Sequence, residues 1–150
     1  MRAKTGLAMV LGIFGMLAVS TPADARNTRL HLPLANVLGS ADAQRTLDPG
    51  VQLYFGKQPY AEPVRRLNPY NSKKSSNFLN KTDEDGCNWV FLSSVKGLQQ
   101  MARKMGGNAV VNIVSIYRDN EQIISDTHFE CNAGTFVGTV ELRGEVVLLK

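Results

Sequence analysis

The chain has 150 residues, with 17 Lys and Arg against 13 Asp and Glu, for a formal charge of +4. An apolar content of 43% and a charged content of 20% are ordinary for a globular chain with one core. The basic residues are scattered over Arg65-Arg66, Lys73-Lys74 and Arg103-Lys104, with no stripe that alternates with aromatics, and this argues against nucleic-acid binding.

Residues 1–25, MRAKTGLAMVLGIFGMLAVSTPADA, have the three-part layout of a secretory signal peptide. Arg2 and Lys4 start it, an apolar run covers Gly6 to Val19, and Ala23-Asp24-Ala25 is a small-x-small cleavage site. The run is short for a membrane span. Cleavage near Ala25 would leave residues 26–150 as a single domain in the periplasm or secreted medium. Arg26 stands where a lipoprotein would carry its acylated Cys, so no lipid anchor is expected, and no second apolar span follows.

In the mature chain, Thr28, Leu30, Leu32 and Leu34 alternate as in a short strand, and Pro33 suits an edge. Leu47-Asp48-Pro49-Gly50 is a turn, and Val51 to Gly56 reads as a strand. Lys57 to Lys81 is punctuated by Pro59, Pro63 and Pro69. Val64 to Leu67 fits a short return strand. Asn68 to Asn80, dense in Asn, Ser and Lys, reads as an exposed mobile loop. Tyr70, Lys73 and Lys74 on it are candidate interaction residues.

The clearest element follows. Thr82 is an N-cap, Asp83, Glu84 and Asp85 complement the helix dipole, and Gly106-Gly107 is a stop. Cys87, Phe91, Val95, Leu98, Ala102 and Met105 recur every 3 or 4 residues and predict one buried face. Trp89 lies off that stripe, either at the core margin or as an exposed contact residue. Gln99 is expected at the surface. Ala109 to Tyr117 reads as a central strand covered on both faces, and Asp119-Asn120 as a turn. Ile123 to Cys131 reads as the returning strand of a hairpin, Asn132-Ala133-Gly134 as another turn, and Thr135 to Leu149 as a last long strand, broken or bulged near Gly138 and Gly144.

An exported pair of cysteines, Cys87 and Cys131, most simply forms a structural disulfide. Period-2 alternation puts Cys131 on the face of Phe129, and Cys87 lies on the buried helix face, so both point into one interface. The same alternation groups Asp126, His128 and Glu130 on the opposite face. This is the one acid–imidazole–acid cluster, and it is either a solvated strand face or a weak metal or ligand site. His31 reads as isolated. There is no G-x-S-x-G, no G-x-x-x-x-G-K-[ST] and no G-x-G-x-x-G, so neither a catalytic residue nor a cofactor is expected.

Cys87-Asn88-Trp89, the strand Gly107-Asn108-Ala109-Val110-Val111-Asn112-Ile113-Val114-Ser115-Ile116-Tyr117 and Phe129-Glu130-Cys131-Asn132-Ala133-Gly134 resemble a family of small uncharacterised exported bacterial proteins. Its members are often labelled excinuclease or ATPase subunits, a label these residues do not support. The Gly-Asn-Ala-Val-Val-x-Ile strand is more distantly similar to the Rcs envelope-stress lipoprotein sensor domain and to YbjQ-type domains. That sensor carries an acylated Cys and a second disulfide, both missing here. The resemblance implies an α+β fold, one long helix on a mostly antiparallel sheet, in a periplasmic setting. The expectation is a non-enzymatic interaction or envelope-stress module whose partner is an envelope protein or surface component. The alternative is a small-ligand or metal-binding protein that uses Asp126, His128 and Glu130.

Overall fold

A helix that begins at Thr82 and stops at Gly106 organises the molecule. The Thr82 hydroxyl accepts the Asp85 N–H at 3.1 Å, and Gly106 takes the left-handed φ of +83° that ends a helix. The structure is a computed structural model that describes residues 26–150; the expected signal peptide, residues 1–25, lies outside the described residues. In chain order the elements are β1 (Asn27–Pro33), α1 (Leu34–Leu38), α2 (Ala41–Thr46), β2 (Gln52–Phe55), β3 (Arg65–Asn77), α3 (Asp83–Met105), β4 (Ala109–Tyr117), β5 (Glu121–Ile123), β6 (His128–Gly134) and β7 (Val137–Leu148). The fold is α+β, as expected: one 23-residue helix packs on a curled, mostly antiparallel sheet of seven strands. No helix among the described residues is long and apolar enough to cross a membrane.

The predicted stripe is the buried face of α3. Cys87, Phe91, Val95, Leu98 and Ala102 are fully enclosed, and Met105 packs at the margin. Cys87 joins Cys131 of β6 in a disulfide with a Cα–Cα distance of 5.9 Å. β7 is the long central strand. β3 runs along its whole length, while β4 and β6 share it by pairing with different stretches. β6 leads on to β1 at one border; β4 leads on to β2, which runs parallel to it, and to β5. Pro33 closes an edge strand, where a missing N–H does little harm.

Four expectations need correction. The segment read as a mobile loop, Asn68 to Asn80, is mostly strand: its residues up to Asn77 belong to the 13-residue β3, and the stretches 57–64 and 78–82 are irregular. Its Asn, Ser and Lys residues show no apolar alternation because β3 is an edge strand with little of its own surface to bury. It is held instead by pairing with β7 and by the Ser94 hydroxyl of α3, which donates to the Ser72 and Val140 carbonyls at 3.1 and 2.9 Å. Pro69 sits at the irregularity of that ladder, where proline is tolerated.

The returning strand Ile123 to Cys131 is two strands. β5 pairs with β4, the chain leaves the sheet over 124–127, and β6 pairs with β1 and β7. The Ser125 hydroxyl accepts the Thr127 and His128 N–H groups, offering the backbone a local alternative to the ladder. The turn expected at Asn132–Gly134 falls one step later, at Thr135-Phe136. Gln99 is not at the surface. It is 2% exposed, its amide donates to the Asp48 and Val51 carbonyls, and its oxygen accepts the Asp48 N–H. Gln99 thus ties the turn before β2 to α3. One residue turn on, Arg103 bonds the Asp48 carboxylate and, with the Gly50 N–H, holds that carboxyl below its usual range.

α3 lies close to β3 because Gly97 has no side chain. A Cβ there would sit 2.3 Å from Ser72 Oγ and 3.4 Å from Ser72 Cβ. Gly97→Ala should therefore destabilise by about 1–3 kcal/mol through overpacking, against the roughly 1 kcal/mol that alanine gains over glycine in a helix. Ser72 Oγ is buried without a hydrogen-bond partner, so Ser72→Ala should be neutral or stabilising by up to about 1 kcal/mol. In the double variant the clash is gone and the helix keeps its better former. Urea unfolding of the four proteins should show it more stable than Gly97→Ala alone; strictly additive effects would disprove the contact.

Candidate functional site

Alternation along β6 turns Phe129, Cys131 and Ala133 into the core and His128, Glu130 and Asn132 to the other face. β1 lies antiparallel beside it, with His31 opposite Glu130 and Arg29 opposite Asn132, so Arg29 and His31 share that face. The Glu130 side chain is 4% exposed. An enclosed carboxylate needs partners for both oxygens, and it has them: Arg29 Nε donates to Oε2 at 2.7 Å, and His31 Nδ1 meets Oε1 at 2.6 Å. The Glu130 N–H donates to the Ser115 hydroxyl at 3.0 Å. The hydrogen bond to Glu130 also holds the Arg29 guanidinium above its usual range, and the group lies over the Tyr117 ring at 4.3 Å. The His31 ring stacks on the His128 ring, centroids 4.4 Å apart and nearly parallel, and the Thr127 hydroxyl bonds His128 Nδ1 at 2.8 Å.

The expected trio of Asp126, His128 and Glu130 is not assembled. Asp126 belongs to the connection between β5 and β6, where its carboxylate accepts the Lys57 N–H at 2.6 Å. Among the described residues no group of three His, Cys, Asp or Glu side chains is placed to hold a metal. The true companions of Glu130 are Arg29 and His31, and His31 is not isolated. With both carboxylate oxygens engaged, the cluster's evident work is to fasten the edge strand β1 to β6. The signal was present in the alternation of Arg29 and His31, but it acquires meaning only with the β1–β6 register.

Beside this cluster a polar cleft of about 210 Å³ is lined by Lys73, Arg118, Glu130, Asn132 and Glu141 among others, and Asn132 Oδ1 is buried there without a partner. Lys73 reaches Glu141 at 3.7 Å. The other candidate interaction residues do not form one surface. Tyr70 is half-buried against the core, and Lys74 lies on the helix side of β3, near Gly97.

Trp89 is away from the core margin: its surface is 51% exposed. It faces a groove of about 430 Å³ between α3 and the pair α1 and α2, with Val37, Ser40, Asp42, Asp85 and Leu92 in its walls. Asp85 is one helical turn before Trp89 and shares its face. The two short helices that complete this groove were not expected from the sequence. The local signals for α2 are Ser40, whose hydroxyl caps it by accepting the Ala43 N–H, with Asp42 in its first turn and Arg45 in its last. No family model, curated protein or solved structure matches this chain.

Proposed function

We propose that this chain is a non-enzymatic periplasmic protein, an interaction or envelope-stress module that recognises its partner at the Trp89 groove. One observation carries the reading. The buried face of α3 is complete without Trp89, yet the chain's one tryptophan is left half exposed at the mouth of a groove. Exposed large apolar residues beside polar walls are the usual anchors of recognition. The buried disulfide supports an oxidising, extracytoplasmic setting. Asp85, beside the indole and also accepting the Thr82 hydroxyl, and Asp42 across the groove stand against Lys81 in its wall, a balance that favours a partner segment with a basic side chain lying on the ring.

A photo-reactive residue at position 88, in the wall of the groove, tests this in intact periplasm. A discrete adduct is expected, lost in Trp89→Ala and weakened in Asp85→Asn, and none is expected from the exposed position 100. An adduct that survives Trp89→Ala, or none at all from position 88, would overturn the reading.

A further inference from the structure

β3 is a border of the sheet. It pairs with β7 alone among the described residues, so the other side of its backbone has no strand beside it. From Tyr70 to Asn77 the register runs unbroken, with Tyr70 opposite Gly144 and Asn77 opposite Val137. At about 3.3 Å per residue that stretch presents an edge of roughly 25 Å, along which alternate residues turn N–H and C=O groups outward. Asn71, Lys73, Lys74, Ser75 and Asn77 are exposed, and α3 covers only the face that holds Ser72. The competing borders are poorer: β2 has four residues, and β1 has seven and ends in proline.

Natural edges are blunted by prolines, bulges and charges. Here the proline and the irregularity stand before Tyr70, which leaves the rest of the edge regular. The charges on that stretch are Lys73 and Lys74, both positive. They argue against a second copy of this chain, because antiparallel pairing of two β3 edges would bring the lysines of both copies together. Lys73 is 65% exposed despite Glu141, and Lys74 has no acidic partner among the described residues. A segment with acidic residues on both faces would meet one lysine on each side of the sheet, since neighbouring residues of a strand point to opposite faces.

We infer that the open edge of β3 accepts an extended acidic segment of a partner protein by strand addition. Main-chain hydrogen bonds supply the affinity and the two lysines supply the choice of sequence. The site is separate from the Trp89 groove, and the two succeed or fail independently.

Hydrogen exchange on the exported protein tests it, with a capped dodecapeptide of three Thr-Thr-Glu-Glu repeats as probe, which carries glutamates on both faces of an extended strand. At saturating peptide, outward-facing amides within Tyr70–Asn77 should exchange at least about tenfold more slowly, with no matching change around Trp89. The same peptide N-methylated at every residue should give no protection, because the donors on both of its edges are blocked. The same repeat with lysine in place of every glutamate should fail on the wild type and succeed on the double variant Lys73→Glu/Lys74→Glu. Unchanged exchange on the wild type, equal protection by both charge types, or protection that grows with protein concentration and needs no peptide would each overturn the inference. The last would mark the edge as a contact between copies of this chain.

Discussion

Phe91→Ala is expected to destabilise the protein by about 3–5 kcal/mol, the upper range for a buried aromatic cut back to a methyl group. Phe91 is fully enclosed at mid-helix. Its ring stacks on Phe129 of β6 with centroids 4.1 Å apart and leans on Phe55 of β2 at 6.0 Å. One side chain thus joins the helix to strands from both arms of the sheet. Truncation removes the transfer energy of a benzyl group and two aromatic contacts, and it leaves a cavity whose walls are fixed by strand pairing and the nearby disulfide. Limited collapse is what pushes such a change toward the high end. Gln100, on the exposed side of α3, is the proper control, and its alanine variant should stay within about 0.5 kcal/mol of wild type. Gln99 cannot serve, because its three hydrogen bonds hold the turn at Asp48. Urea unfolding with an unchanged m-value measures the effect. A loss under about 1 kcal/mol for Phe91→Ala would show that the ring does not bridge these elements.

The same residue shows which features were legible in the chain. Phe91 belongs to a stripe with helical period, bounded by Thr82 and Gly106, and every one of those signals is local. β4 was legible for a similar reason, as a run of apolar residues between a helix stop and a turn. β3 was not. Ser72, Lys73, Lys74 and Ser75 resemble a loop, and what makes them a strand is pairing with β7 more than 60 residues away in sequence. The Asp126 assignment failed because period-2 reasoning assumes an unbroken strand, and the Ser125 hydroxyl breaks it. His128 and Glu130 lie beyond that break and keep their common face. Their link to His31 is a cross-strand fact, set by a register that no periodicity within one segment encodes.

The disulfide was legible because both its ends are fixed by local signals, and its removal is the second large effect. Cys87→Ala/Cys131→Ala should cost about 2–5 kcal/mol. The bridge closes a loop across a sequence separation of 44, for which the chain-entropy estimate is ~4 kcal/mol, with the balance between entropy and solvation dependent on the model of the unfolded chain. Both sulfurs lie inside the core, so the double alanine variant also loses packing between the first turns of α3 and the middle of β6. Two observations separate these contributions. Reducing the wild type keeps the sulfur atoms and releases the loop; if the loop dominates, reduced wild type and double variant should unfold at nearly the same urea concentration. Release should also raise the m-value, because an uncrosslinked unfolded chain exposes more surface. A fall in stability with an unchanged m-value would assign the bridge's effect to packing. No fall in either measurement would mean that α3 and β6 hold together without the bridge, and the disulfide could no longer be taken as a staple of this core.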